Sequence, residues 1–350
     1  IGLMSSHPPF DGDIWWQMVY GKYMIENLTL IPDHSVFSWT IAENVIIYCA
    51  WLAEILLYSI HSIAGLPGLF ALRYLAMLLP MLFLYWAGKK NRATTTPVVW
   101  LGYLVCYLAA CSNGGLIKPE MLSFLLFSLT VAVYFKLKTE PNNWKLCYLF
   151  PVVMLVWVNT HGGFFVGMFF LGVAVVGELA NYLFRSPAAS PRDLLKHLVL
   201  SAGLTLVALC CNPYGIYYPI QVVTNILGVN AQHLSEIIAY QNIFSLIVQR
   251  LFLPVYLVIA LLLTAPLLIE QIVRRKVDFA VFLISAIFIV LYVRYARMSY
   301  FYVTIMVFSL QYLLAGSSAW RSILSRQVKK VQFFSWVIVL IMIALSAHRI

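Results

Sequence analysis

Long apolar blocks alternate with short polar stretches along almost the whole chain. The blocks fall near positions 67–87, 96–112, 119–136, 145–160, 163–184, 195–211, 250–269, 278–294, 299–316 and 332–348. Each approaches the length, about 17 to 25 residues, that an α-helix needs to cross a bilayer. Lipid offers no partner to unpaired backbone groups, so the pattern predicts an all-α polytopic membrane protein of roughly ten spans or more. Two earlier segments have helical patterning of another kind. DIWWQMVYGKYMIENL (13–28) reads as an amphipathic helix with Asp13 as its N-cap, and 48–65, which carries Glu54 and His61, reads as an interfacial helix. The expected organisation is a first outer loop over 1–66 with two interfacial helices, followed by a single transmembrane bundle over 67–350. No internal repeat or linker divides the chain.

The loops predict which way the bundle faces. Basic residues gather at Lys89, Lys90 and Arg92, at Lys136, Lys138 and Lys145, at Arg185, Arg192 and Lys196, at Arg274, Arg275 and Lys276, and at Arg321, Arg326, Lys329 and Lys330. They occupy every second loop, which the positive-inside rule assigns to the cytoplasm. The alternate connections then lie outside: CSNGGLIKPE (111–120), NTHGG (159–163), 212–249 and RYARM (294–298), together with most of 1–66.

Composition agrees, with 62% hydrophobic and only 10% charged residues. A net charge of +10 distributed in this way describes membrane topology and excludes a nucleic-acid patch. The six cysteines show no disulfide or metal-ligand spacing. The first forty residues contain no signal-peptide pattern, and a first span, if the protein has one, precedes Ile1.

Polar groups near the apolar slab are costly unless paired or functional. Here they collect on the outer side: Asp11, Asp13, Glu54, Lys118, Glu120, Asn159, His161, Asn212, Tyr214, Glu236, Arg294 and Arg297. A carboxylate such as Asp13 or Asp11 serves as a general base or as a ligand for a divalent cation; in the blander case it is a turn or cap residue. Lys118 precedes Pro119 at a helix start, where an anion is favoured. Arg294 and Arg297, three residues apart, are expected on one helical face and call for an anionic partner: a lipid phosphate, Glu120 or Glu236, or a phosphate-bearing substrate. His161 lies in a turn opened by Gly162 and Gly163. NPYG (212–215) is a helix stop that walls the site. Trp15, Trp16, Trp39 and Trp51 are membrane-belt residues or stacking platforms. Asn27, Leu28 and Thr29 make a glycosylation sequon.

Taken in order, FDGDIWWQMVYGKYMIEN, IPDHSVFSWT, AWLAEILLY, IKPEMLSF, VWVNTHGGFFVG, CNPYG and RYARM resemble the GT-C superfamily of membrane glycosyltransferases, in particular its bacterial members of unassigned specificity. The pattern departs at Gln17, where histidine is expected, and at Lys118, where arginine is commoner. The resemblance implies an enzyme of the bacterial plasma membrane. It would move a sugar from a polyprenyl-phosphate donor to a lipid, glycan or protein acceptor on the extracytoplasmic face. Asp13 would be the base, with Asp11 as its alternative, and Lys118, Arg294 and Arg297 would face the donor phosphate. Trp15, Trp16, Glu54, Glu120, Asn159, His161, Asn212, Tyr214 and Glu236 would line the pocket. The resemblance fixes no cofactor; a divalent cation, held by Asp11 and Asp13, is compatible with it. Two other readings stay open: an oligosaccharide ligase or polymerase using a diphosphate-linked donor, and a non-catalytic membrane subunit.

Overall fold

A computed structural model describes residues 12–32, 36–37, 50–89, 117–227, 242–245, 252–318 and 322. Among these the secondary structure is entirely helical: α1 (Asp13–Glu26), α2 (Trp51–Gly88), α3 (Pro119–Thr139), a 3-10 helix (Pro141–Tyr148), α4 (Leu149–Val158), α5 (Phe164–Leu183), α6 (Arg192–Leu209), α7 (Tyr217–Leu227), α8 (Phe252–Val273), α9 (Phe279–Arg294), a 3-10 turn (Ala296–Met298) and α10 (Ser299–Gly316). Four helices among the described residues are long and apolar enough to cross a membrane: α2, α3, α5, and α10 with the turn before it. This is consistent with a helical membrane protein. The expected spans at 96–112 and 332–348 lie outside the described residues. The block at 145–160 is not one span. It divides between the 3-10 helix and the ten-residue α4, with Pro141 and a non-helical Asn143 in the leading segment.

Helix α2 is 38 residues long, which at 1.5 Å per residue is about 57 Å, too long for one crossing. It bends at Gly65, whose φ of 60° and ψ of −154° break the helical run two residues before Pro67. The segment expected as a separate helix over 48–65 is therefore the first limb of α2. Its N-terminal end packs against α1, where Gly21 comes so close that a Cβ there would meet the Glu54 carbonyl oxygen.

The bundle closes around α3 and α10. The apolar window of α10 is 83% buried and that of α3 72%, against 33% for α2, so the first two form the centre and α2 the rim. Phe127 of α3 is the hub. Its ring lies 4.7 Å from that of Phe301, 5.8 Å from Phe170, 5.9 Å from Phe288 and 6.3 Å from Trp157, and so joins α10, α5, α9 and α4. With no hydrophobic drive between helices in lipid, such interdigitated contacts carry the association.

Helix α3 is polarised as its macrodipole favours. Pro119 and Glu120 begin it, and Lys136 and Lys138 end it. At the Lys138 end, the ammonium bonds to Glu178 Oε1 at 2.8 Å and to Asp278 Oδ2 at 2.9 Å, with side chains no more than 3% exposed. Tyr134 and Ser190 donate to Glu178, while Tyr312 and Asn181 donate to Asp278. Asp278 also caps α9 by accepting from the Ala280 and Val281 amides. The Ser186 hydroxyl bonds to the Val277 carbonyl, and Lys138 bonds to the Ala188 carbonyl. These bonds gather the ends of α3, α5, α9 and α10 on one side of the bundle, and the basic turn residues Arg185, Arg274 and Lys276 lie in the same connections.

Candidate functional site

At the other end of α3, the first turn forms the floor of a second polar cluster. Lys118 is extended and Pro119 opens the helix, so Glu120 falls in the first turn, with Ser123 one turn on along the same face. Two distant turns meet it. One joins α4 to α5 and carries Asn159 and His161. The other joins α9 to α10 and carries Arg297.

Glu120 Oε1 is the common point. It accepts from Arg297 Nη2 at 2.8 Å, and it lies 3.8 Å from His161 Nε2 and 3.9 Å from Lys118 Nζ. Two cations and an imidazole thus surround one carboxylate oxygen, with Lys118, Glu120 and His161 about 15% exposed and Arg297 more open. Burial pushes the His161 pKa down to about 4. Glu120 opposes that shift, while Arg297 and Lys118 add to it. The imidazole is therefore neutral near pH 7.

The far side of His161 is held by hydrogen bonds. Nδ1 lies 2.7 Å from Ser123 Oγ and accepts from the Gly163 amide at 3.1 Å, and the indole of buried Trp157 donates to Ser123 Oγ at 2.8 Å. The turn needs a glycine at 163, because a Cβ there would lie 2.6 Å from Ser123 Oγ and 2.9 Å from His161 Nδ1.

Asn159 sits beside this turn and works as a clamp. Its Oδ1 accepts from the Trp51 indole, its carbonyl from the Leu52 amide, and its Nδ2 donates to the Leu155 and Cys211 carbonyls. The start of α2 and the ends of α4 and α6 are thereby tied together. Trp51 is accordingly a partner of Asn159 and not a free belt residue.

Helix α1 reaches the same mouth. Ile14 packs in one cluster with Ile117, Leu57 and Leu69, so Asp13 and Lys118 each adjoin in sequence a member of that cluster. The N-cap is Gly12 and not Asp13. Asp13 is the first helical residue, with its carboxylate accepting from the Trp16 indole at 3.2 Å. A backbone already helical at Gly12 places Asp13 too late to reach back over the first amides. Trp15 and Trp16 are exposed on this helix, at 51% and 41%. Glu54 is the opposite case. It is 2% exposed, its carbonyl lies against Gly21 of α1, and its Oε2 has no hydrogen-bond partner; Gln17 Oε1 on α1 is similarly buried and unpartnered.

The expectation that Arg294 and Arg297 share a helical face does not hold. Helix α9 ends at Arg294, Tyr295 is extended at φ −134° and ψ 110°, and a 3-10 turn begins at Ala296, so helical spacing is lost between the two. Arg294 is exposed and bonds to the hydroxyl of its neighbour Tyr295, whereas Arg297 joins Glu120. Asn212 is absorbed by its own turn, donating to the Leu209 and Gly215 carbonyls and accepting from the Tyr214 amide. The Tyr214 ring lies against Tyr218, which packs on Phe164. Asp11 and Glu236 lie outside the described residues, as does Trp39. Among the described residues, no three His, Cys, Asp or Glu side chains group as a metal site.

Three residues at this end escaped the sequence reading. Ser123 and Trp157 look like span interior. Arg73 is a single cation in the apolar run LFALRYLAML, and that solitude was its signal. It is buried between Leu69, which clusters with Ile117, and Ala76, which clusters with Met121, so it lies level with the first turn of α3. Compared with known proteins, the chain matches no family model, no curated protein and no solved structure.

Proposed function

We propose that this chain is a membrane glycosyltransferase that takes a sugar from a polyprenyl-phosphate donor and passes it to an acceptor at the Glu120 end of the bundle. That end is the extracytoplasmic one, since the basic turn residues collect at the other. One observation carries the reading. Two cations from separate turns, Lys118 and Arg297, meet at one carboxylate beside the start of α1, where Asp13 lies exposed.

The chemistry asks for these parts. Displacement at an anomeric carbon needs a stabilised phosphate leaving group on one side of the sugar and a base for the acceptor hydroxyl on the other. Lys118 and Arg297 supply fixed positive charge for the phosphate, held in place by Glu120 before the donor arrives. Asp13, at the water-facing start of α1, takes the acceptor proton. Trp15 and Trp16 hold α1 at the headgroup level, where a lipid-linked donor presents its phosphate.

The test is purified protein supplied with a panel of polyprenyl-phosphate sugars. Asp13→Asn is expected to abolish transfer while leaving donor binding in place, and Arg297→Ala to weaken donor binding. Absence of turnover with every donor, or variants equal to wild type, would overturn the reading.

A further inference from the structure

The hydrogen bonds behind His161 decide what its front can do. The Trp157 indole has one N–H and donates it to Ser123 Oγ, so the serine hydroxyl is left to direct its own proton elsewhere. His161 Nδ1 lies 2.7 Å away and also receives the Gly163 amide N–H. A nitrogen that accepts a backbone N–H carries no proton of its own. Ser123 therefore donates to Nδ1, and the proton of the neutral ring resides on Nε2. Nε2 faces Glu120 Oε1 at 3.8 Å, beyond hydrogen-bond range, with Lys118 and Arg297 around the same oxygen.

We propose that His161 is a fixed Nε2–H donor to an oxygen of the bound phosphate, and that Ser123, donating to Nδ1 beside the Gly163 amide, is a positioning residue that helps fix the ring and its tautomer. The inference rests on the phosphate site described above and assigns the ring a part other than base. Its proton stays on Nε2 throughout; it is neither given up nor exchanged in the reaction. A neutral donor suits a mouth where two cations already carry the charge. An imidazolium there would repel both, and an imidazole with its proton on Nδ1 would turn a lone pair toward the phosphate oxygen.

Nitrogen-15 histidine spectra of the full chain in detergent micelles test this, with the His161 signals identified by their loss in His161→Ala. The expected result is a protonated Nε2 and an unprotonated Nδ1, unchanged from about pH 5 to about pH 8. A proton on Nδ1, or titration near the usual value of about 6.5, overturns the proposal. Ser123→Ala removes the shorter of the two donors to Nδ1 and is expected to loosen the ring from the Gly163 amide, to admit a fraction of the Nδ1–H tautomer, and to weaken binding of a polyprenyl phosphate by about tenfold, the size of one lost charge-assisted hydrogen bond. An unchanged spectrum in that variant removes Ser123 from the role. Should it fail to fold, the wild-type spectrum still decides the tautomer. Polyprenyl phosphate bound with the expected tautomer, but no sugar transferred from any donor, would sink the transferase reading and leave the donor role of His161 standing.

Discussion

The two ends of α3 use the same ingredients in opposite proportion. Around Lys138, one cation serves two carboxylates at 2.8 and 2.9 Å, and hydroxyl, amide and helix-start donors meet the carboxylate oxygens in a space almost closed to solvent. Around Glu120, one carboxylate serves two cations, only the Arg297 contact is a hydrogen bond, and the side chains stay partly open. The Glu120-to-Lys138 rise is about 27 Å at 1.5 Å per residue, close to the hydrocarbon thickness of a bilayer. A buried ion cluster in which each carboxylate oxygen has a partner ties helices together; a shallow one with two cations around one carboxylate is less tightly closed. Lys138 is thus a staple and Glu120 the centre of the candidate site.

The largest expected effect separates the two ends. Lys138→Met leaves Glu178 and Asp278 buried without their cation and is expected to cost about 3 to 5 kcal/mol, read as an early thermal unfolding transition in detergent. A variant as stable as wild type would remove the staple from the comparison.

Next comes Arg297→Ala, expected to lower kcat/KM for the donor by about a hundredfold, near 2.7 kcal/mol, while moving the unfolding midpoint little. A loss of stability equal to that of Lys138→Met would make the Glu120 end another staple.

The third effect is on pH. His161 has its pKa lowered on folding, so between about 6.5 and 4 the unfolded chain binds the proton that the folded chain refuses. Stability should therefore fall as pH drops through that window, with a limiting slope of about 1.4 kcal/mol per unit, and this ring should contribute no slope above it. Denaturation midpoints of wild type and His161→Ala across the window check this, and parallel curves would contradict it.

The smallest effect belongs to Arg294→Ala, expected within about 0.5 kcal/mol of wild type in both stability and donor binding. A loss of donor binding matching that of Arg297→Ala would restore the paired-arginine picture.

Much of the architecture was legible from the chain alone because burial in lipid imposes a pattern that a sequence must display. The apolar blocks became α3, α5, α8, α9 and α10, and the DIWW segment became α1, whereas the segment over 48–65 joined the block after it in one helix bent at Gly65. The site was legible in part. Lys118, Glu120, His161 and Arg297 stood out because a polar group at a span end is costly unless paired or functional, and they do meet. Asn212 stood out for the same reason and turned out to serve only its own turn.

What the sequence by itself determined is the helical class, the polarity of α3 and the separation of basic connections from the other turns, since each follows from local composition and the one-dimensional cost of placing charge in lipid. Only the tertiary structure decided who meets whom. Spacing put Arg294 with Arg297, and an extended Tyr295 parted them; Lys138 read as a loop cation and became the partner of two buried acids; Ser123 and Trp157 read as core and became the bonds that orient His161. Such pairings depend on where separate helices end against one another, and that is set by packing around Phe127, a property no single segment carries.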